Sequence, residues 1–494
     1  MSTTDKSYAY SAEDGSLPYV TVPDLLLEAA KNVPNNDAVI CWSAPGERTS
    51  ITYSELFKRS ELFAKGLSSF GYERNSIVAI ENKNTPEWMI CTFGTQLAGY
   101  VPLHFSFGEE TGKDVVALIK STKKCVALIA ASTSIKICQK IAGNLDGGNA
   151  SKAVPYTHHN VCSIGFKINK VVELGPPGYK YLNYFPFGWQ GSYPIPTLCN
   201  RSTIVTFEDI LKMKSVQEIN AMTLRVLNTD KCVAAFLLAP AISDLVKKKD
   251  IICSSFPLRL VCTGGLPVDS TCSQIIGEKA EKFLVAYGST EMGVICSITV
   301  SSSEQYERFA VGYPSPGTEV KIVNDKGSIV PRGTSGEIYV RMRNRFQGYL
   351  NAKEKSDICH EQTGWYKTDD VGVMKPEGCL LVTGRKSDMM VISGDLVSPS
   401  YLECILKDHE AVANAFVCPI YDQETFEKAC AGKSATEDDI KSFVKNKRGQ
   451  YAEGFLATRL VPKNVLFFDS FPTTNTCKID RKALAAAIRK RLES

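Results

Sequence analysis

The densest grouping of chemistry-bearing residues is V-A-Y-G-S-T-E-M-G at 285–293, where an apolar strand end runs into Tyr287, Gly288, Ser289, Thr290 and Glu291. Glycine beside small hydroxyls leaves room for a phosphate group, and a carboxylate can hold the magnesium ion that accompanies it. Taken alone, the segment also fits a plain turn. About twenty residues earlier, V-C-T-G-G-L-P-V at 261–268 ends a strand in Gly264 and Gly265, a pair that lets backbone approach a flat ligand such as adenine. G-W-Y-K-T-D-D-V-G at 364–372 places Asp370 after a strand, where a carboxylate can accept ribose hydroxyls. T-G-R-K-S-D-M-M-V-I-S-G-D-L-V-S-P at 383–399 carries Arg385, with reach to a ribose or a phosphate. F-P-T-T-N-T-C-K-I-D-R-K-A-L at 471–484 puts Lys478 on a loop before the last helix, where a lysine is ordinarily just solvated.

The elements that hold these residues are of two kinds. Short Val- and Ile-rich runs alternate with longer amphipathic stretches: S-I-V-A-I at 76–80, E-W-M-I-C-T-F-G-T-Q-L-A-G at 87–99, then C-V-A-L-I-A at 125–130. That alternation predicts an α/β body, with Trp88 and Phe93 in the core where a crossover helix faces its sheet. From about Val311 the pattern turns to short strands with hairpin punctuation. E-V-K-I-V-N-D-K-G-S-I-V alternates about a turn at Asn324–Gly327, and a second strand pair flanks Pro376–Gly378. A polar junction at Arg385 to Ser387 marks the expected boundary between a domain of residues 1–386 and a smaller one of residues 387–494. The latter reads as a helix near Pro399–His409, a strand A-V-A-N-A-F-V-C-P-I, a helix around Asp438–Arg448, a strand N-V-L-F-F and a terminal helix.

A chain of 494 residues exceeds what one core usually organises, in keeping with two domains. Hydrophobic residues at 44% and charged residues at 22% are an ordinary globular balance. The net charge is +4, and the one basic cluster, Arg489, Lys490 and Arg491, reads as a solvated helix end, so a nucleic-acid partner is not implied. Seventeen cysteines without a C-x-x-C pair fit a reducing compartment, and five histidines outside zinc-binding spacings give a structural zinc site no support. Asp5, Glu13 and Asp14 precede any apolar run, the chain ends R-L-E-S rather than S-K-L, and no apolar run approaches the ~20 residues of a transmembrane segment. A cytoplasmic location is the expectation.

The five chemical segments, in this order and spacing, resemble the adenylate-forming superfamily, which includes acyl-CoA synthetases, aryl-CoA ligases, luciferases and peptide-synthetase adenylation domains. The resemblance spans nearly the whole chain. It extends to I-T-Y-S-E-L at 51–56, A-G-Y-V-P-L at 98–103, G-Y-P-S-P-G at 312–317, G-E-I-Y-V-R at 336–341 and G-Y-L at 348–350. It implies a large N-terminal α/β domain with packed sheets and a small β-barrel-like part, plus a small, mobile C-terminal α+β domain. It also implies ATP, magnesium and coenzyme A as co-substrates and cofactor, with a carboxylic acid, a medium- or long-chain fatty acid in the first place, as the group activated. By similarity, Gly264, Gly265, Tyr287, Gly288 and Ser289 belong to the nucleotide site, Thr290 contacts the α-phosphate and Glu291 holds magnesium. Asp370 and Arg385 bind ribose. Lys478 resembles the catalytic lysine that bridges substrate carboxylate and α-phosphate, a contact whose loss costs about 10²–10³ in rate. Ser393 and Gly394 fall on the face that admits the pantetheine arm, with a hinge near Ser387. Trp189 and Gly191 lie at the expected acyl pocket, with residues around Phe187–Tyr193, Leu237–Pro240 and Thr263–Leu266.

The chain also departs from the family pattern. T-H-H-N at 157–160 matches the helix that follows the family's phosphate loop, and Lys152 stands at that loop's lysine, but the loop itself reads L-D-G-G-N-A-S-K-A. Gly147 and Gly148 remain, the run of hydroxyls is missing, and Asp146 adds a charge that repels phosphate. The stretch between Pro102 and this loop is shorter than in the family. Asp369 and Cys477 stand where glycines usually precede Asp370 and Lys478. In P-F-G-W at 186–189, Trp189 stands near a usual histidine and reads equally as a gate or as core filling. Three functions stay open: a fatty acyl-CoA synthetase, a descendant that keeps the fold without using ATP, and an aryl-CoA ligase or luciferase-like enzyme.

Overall fold

The computed structural model describes residues 5–493 apart from 13–16, 44–45, 82, 106–112, 123, 131–152, 173–174, 209, 211–212, 214, 248–257, 267, 269, 276–278, 302–305, 343–345, 360, 362, 393–394, 410, 413, 420–425, 432–435, 448–463, 469–470 and 473–480. The loop with Asp146, Gly147, Gly148 and Lys152 lies outside the described residues, as do Ser393, Gly394, Cys477 and Lys478. By compactness the chain divides into two units. Ala9–Val320 with Val340–Tyr366 forms the larger; Met1–Tyr8, Lys321–Tyr339 and Lys367–Ser494 form the other.

The larger unit is α/β. Its main strands follow the order Gly293–Val300, Ala280–Ser289, Leu258–Gly264, Ala234–Phe236, Lys180–Asn183, Thr203–Phe207, Asp37–Trp42, Arg48–Thr52. From Ala280–Ser289 to Asp37–Trp42 the strands are parallel, and the two outside them pair antiparallel. Parallel strands are covered on both faces and so read as continuous apolar runs; Thr203–Phe207 is buried along its whole length. A second parallel sheet runs Val101–Phe105, Ile77–Glu81, Cys125–Ile129. Its crossover helix, Pro86–Leu97, is capped by Thr85 and buries Trp88 and Phe93 in a core shared with the helices Val22–Asn32 and Tyr53–Ser68. I-T-Y-S-E-L starts the second of these helices. Thr52 caps it, and the buried Tyr53 phenol donates to the Ser202 carbonyl at 2.7 Å.

The other unit opens with the expected hairpin, in which Asn324 donates its N–H to Ser328 and Gly327 takes φ +76°. Tyr366–Met374 and Leu380–Arg385 pair antiparallel about Pro376–Gly378. The C-terminal helices Pro399–Lys407, Glu437–Lys447 and Arg481–Glu493 and the strands Asn414–Pro419 and Asn464–Phe467 stand where the sequence pattern puts them. A further strand, Phe426–Ala431, completes a sheet between the last two; its F-E-K-A-C-A sequence has little of the β-branched, alternating character that marks a strand. Glu403, 5% exposed, ties this sheet to the last helix: it accepts from the Val417 N–H at 3.0 Å and from Arg481 at 2.7 Å.

Candidate active site

In the larger unit, the residues singled out at 261–268 and 285–293 converge at the carboxyl ends of adjacent parallel strands, the usual place for ligands on such sheets. Gly264 pairs with Ala286 across Leu258–Gly264 and Ala280–Ser289, and a Cβ added at Gly264 would stand 2.5 Å from the Ala286 carbonyl oxygen. Close packing between strands therefore requires this glycine. Gly265 differs: its φ is +76°, and an added Cβ meets no described atom within 4 Å, so open backbone follows the strand end.

The segment 287–293 is a tight β-hairpin. Tyr287 opposes Cys296, the register slips by a bulge between Tyr287 and Gly288, and Ser289 opposes Gly293, leaving Thr290, Glu291 and Met292 as the turn. A side chain at Gly288 would meet the Gly293 carbonyl oxygen at 2.2 Å, so the bulge can close only on glycine. Ser289 spends its hydroxyl on the turn, accepting from the Met292 N–H at 3.2 Å. Thr290 is exposed at the tip.

Glu291 is held by Tyr349, whose phenol donates to Glu291 Oε1 at 2.6 Å. Burial, and then this bond, push the Tyr349 phenol far above its usual range. Tyr156 is pushed up as well, first by burial and then by the charge of Glu291, and its buried hydroxyl has no hydrogen-bond partner among the described residues. No other described hydrogen bond reaches Glu291, and no group of three or more metal-ligating side chains forms among the described residues. One carboxylate oxygen beside the exposed Thr290 fits magnesium, which takes one or two carboxylates and draws its other ligands from phosphate and water.

Nearby, T-H-H-N opens the helix His158–Val172 as expected. Thr157 Oγ1 accepts from the Asn160 N–H at 3.1 Å and donates to Asn160 Oδ1 at 2.9 Å. His158 Nδ1 accepts from the Val22 N–H at 3.3 Å, and burial pushes the ring's pKa down. The loop with Trp189 is fixed by a residue that sequence reasoning missed. Asn84 lies 3.0 Å through its amide nitrogen from the carbonyls of Tyr184 and Phe185 and from Thr206 Oγ1, and it accepts from the Phe187 N–H at 2.8 Å. A lone Asn after a strand carries no sequence signal for this.

Trp189 packs at a tilt against Phe185, ring centroids 5.8 Å apart, and Phe185 in turn packs on Phe236 at 4.7 Å. Gly191 is exposed, with no described atom within 4 Å of an added Cβ. Leu237, Ala239 and Thr263, read as pocket lining, are buried core residues. Behind the hairpin, Ser163, Ile164, Lys167, Met292, Val294 and Met342 line a narrow recess with room for about one water. None of them belongs to the segments read as acyl pocket.

In the other unit, Asp370 does not follow a strand. It lies inside Tyr366–Met374, directly opposite Arg385. The ladder continues through the polar T-D-D, where Thr368 Oγ1 donates to the Ile338 carbonyl at 2.8 Å and accepts from the Asp370 N–H at 3.0 Å. Arg385 Nε lies 3.0 Å from Asp370 Oδ1, so the two residues expected at a ribose are an ion pair with each other.

The profile of the AMP-binding enzyme family matches residues 26–144 and 150–350. The chain belongs to that family. Within the matched range the profile lapses at 145–149, the L-D-G-G-N of the altered loop. Among relatives of this AMP-binding enzyme, a mitochondrial medium-chain acyl-CoA ligase from Danio rerio is 23% identical, over 99% of this chain and 92% of its own. A 4-coumarate–CoA ligase-like protein from Arabidopsis thaliana is 25% identical over 97% of both. The fold matches that of o-succinylbenzoate coenzyme A synthetase from Bacillus subtilis, in complex with ATP and magnesium, with a TM-score of 0.77 at 20% identity, covering 93% of this chain and 99% of the other. The α/β class with a large mixed sheet is that of the adenylate-forming enzymes. No helix among the described residues is long and apolar enough to cross a membrane.

Proposed function

We propose that the protein is an ATP-dependent acid–thiol ligase that activates a carboxylic acid as its acyl-adenylate, releases pyrophosphate, and transfers the acyl group to coenzyme A with release of AMP. The observation that carries this is the hairpin 287–293 beside the neighbouring strand end: an open glycine backbone at Gly265, an exposed Thr290 and a tethered Glu291 at the carboxyl ends of two parallel strands. The relatives support it, since one is an acyl-CoA ligase by name and the other CoA ligase-like, and the structural match is a coenzyme A synthetase in complex with ATP and magnesium.

In this reading Gly264, Gly265, Tyr287, Gly288 and Ser289 form the nucleotide wall, Thr290 contacts the α-phosphate, and Asp370 and Arg385 bind the ribose. Glu291 holds magnesium, which offsets phosphate charge when bound. Lys152 meets the phosphates. Lys478 bridges the acid's carboxylate and the α-phosphate, offsetting the charge that develops there. Residues 387–494 turn about Ser387 between the two half-reactions, bringing Ser393 and Gly394 to the pantetheine arm. Trp189 and Gly191 border an acyl pocket for a medium- or long-chain fatty acid, and the reaction takes place in the cytoplasm.

The test is to incubate the protein with ATP, magnesium, coenzyme A and a panel of fatty and aryl acids, and to detect AMP and thioester by mass spectrometry. Paired AMP and fatty acyl-CoA support the reading; thioester from aryl acids alone replaces the fatty substrate with an aryl one. A second reading, a descendant that keeps the fold but does not use ATP, draws on the altered loop at 145–153 and the lapse of the family profile there. Absence of product with every acid would favour it.

A further inference from the structure

Tyr349 reaches Glu291 from a turn that is braced on several sides. The Tyr349 N–H donates to Ser356 Oγ at 2.8 Å, and that hydroxyl donates to the Ala352 carbonyl at 2.9 Å. The next residue, Leu350, donates its N–H to the Ala153 carbonyl at 2.9 Å, and the Asn351 side-chain amide donates to the Ser121 carbonyl at 2.6 Å. The Tyr349 ring packs edge-on against Phe346, centroids 4.6 Å apart, and is 5% exposed. The ring is thus held in place, and its hydroxyl, which also bonds with the Tyr366 side chain, meets Glu291 Oε1 at the short distance typical of a hydroxyl donating to a carboxylate.

A buried tyrosine needs an acceptor, and a carboxylate could serve merely as that. Two features argue for more. Glu291 sits on a three-residue hairpin turn, where a side chain has little neighbouring structure to fix it, and Tyr349 takes one of its oxygens while no described hydrogen bond takes the other. An anchored carboxylate with one oxygen left over is the arrangement by which a partner outside the coordination sphere orients a metal ligand.

We propose that Tyr349 is a positioning residue for adenylation: its hydroxyl fixes Glu291 so that the remaining carboxylate oxygen is presented in one direction to magnesium-bound nucleotide. This rests on the ligase reading above. Tyr349→Phe keeps the ring packing while removing the hydroxyl's bonds to Glu291 and Tyr366, and the Glu291→Gln background separates the two.

The experiment measures the magnesium concentration for half-maximal acid-dependent ATP–pyrophosphate exchange, together with calorimetric binding of ATP in the presence of magnesium, for wild type, Tyr349→Phe, Glu291→Gln and the double variant. Tyr349→Phe is expected to raise the half-saturating magnesium concentration roughly 10–100-fold and to weaken magnesium-dependent ATP binding in step, with the KM for the acid little changed. In the Glu291→Gln background the same substitution should add nothing further. An unchanged magnesium requirement in Tyr349→Phe, with wild type active, overturns the proposal and leaves the ligase reading standing. The same holds if Tyr349→Phe has its full effect without Glu291. Wild type that neither exchanges nor binds ATP with magnesium overturns the ligase reading itself, and the proposal with it. Should Tyr349→Phe fail to fold, Ser356→Ala, which removes the brace, is expected to raise the magnesium requirement in the same direction by less, and no rise there overturns the proposal.

Discussion

Asp369 holds a backbone conformation that its side chain disfavours. Its φ is +62°, in the left-handed region, and the residue is exposed with Asp370 immediately after it. The family's usual glycine would take this conformation freely, and aspartate tolerates it better than most residues. Asp369→Val is therefore expected to destabilise the protein by about 1–2 kcal/mol, whereas Asp369→Gly should stay within about 1 kcal/mol of wild type; denaturant titration measures both. At this scale the sequence is most legible where backbone geometry excludes side chains. Gly288 could be read because hydroxyls and a carboxylate flank it, and its structural reason proves to be a bulge that a Cβ would block. Tyr349 and Tyr156 could not be found that way. Their relation to Glu291 spans 58 residues in the first case, and neither the G-Y-L motif nor a Tyr after Pro155 marks a partner so far away.

Among elements, the loop between Lys180–Asn183 and the short helix Ile195–Asn200 shows how a functional surface is held by something outside it. Asn84 binds the backbone of Tyr184, Phe185 and Phe187 together with Thr206 Oγ1, all in a buried setting. Asn84→Ala strands several buried backbone groups, and each such group costs about 1–3 kcal/mol. The expected result is a loss of about 3 kcal/mol or more in unfolding free energy, with Trp189 fluorescence becoming more accessible to quenchers before global unfolding. Unchanged stability would mean that water replaces the amide. Periodicity placed the helices and most strands well, since their apolar faces meet real sheets, as at Trp88 and Phe93. It failed at Phe426–Ala431, a strand made by pairing on both sides rather than by its own composition, and at Asp370, where side-chain bonds from Thr368 carry the ladder through a polar stretch.

For the molecule as a whole, acid sensitivity has a specific source. His104 is enclosed by Trp88 at 4.6 Å and Tyr193 at 5.6 Å and contacts Thr92 Oγ1, and its burial pushes the ring down to about 3 from an ordinary 6.5. The folded state therefore binds this proton less readily than the unfolded one. The stability tied to the neutral ring is fully present above about pH 6.5 and is lost as pH falls toward 3. Thermal unfolding of His104→Phe should show a shallower decline than wild type across that window; parallel curves would show that the ring titrates normally. The α/β class and the family were readable because apolar strands alternate with amphipathic helices and the motifs at 261–268 and 285–293 sit at the ends of such strands. The chemistry at Lys152 and Lys478 rests on sequence similarity alone, since both lie outside the described residues.

The central claim, that this chain adenylates an acid, is tested most directly by acid-dependent ATP–pyrophosphate exchange in wild type and Lys478→Ala. The account predicts exchange with at least one class of acid and a loss of about 10²–10³-fold in the variant, while thioester formation from supplied acyl-adenylate stays largely intact. Wild type that exchanges with no fatty or aryl acid would contradict it.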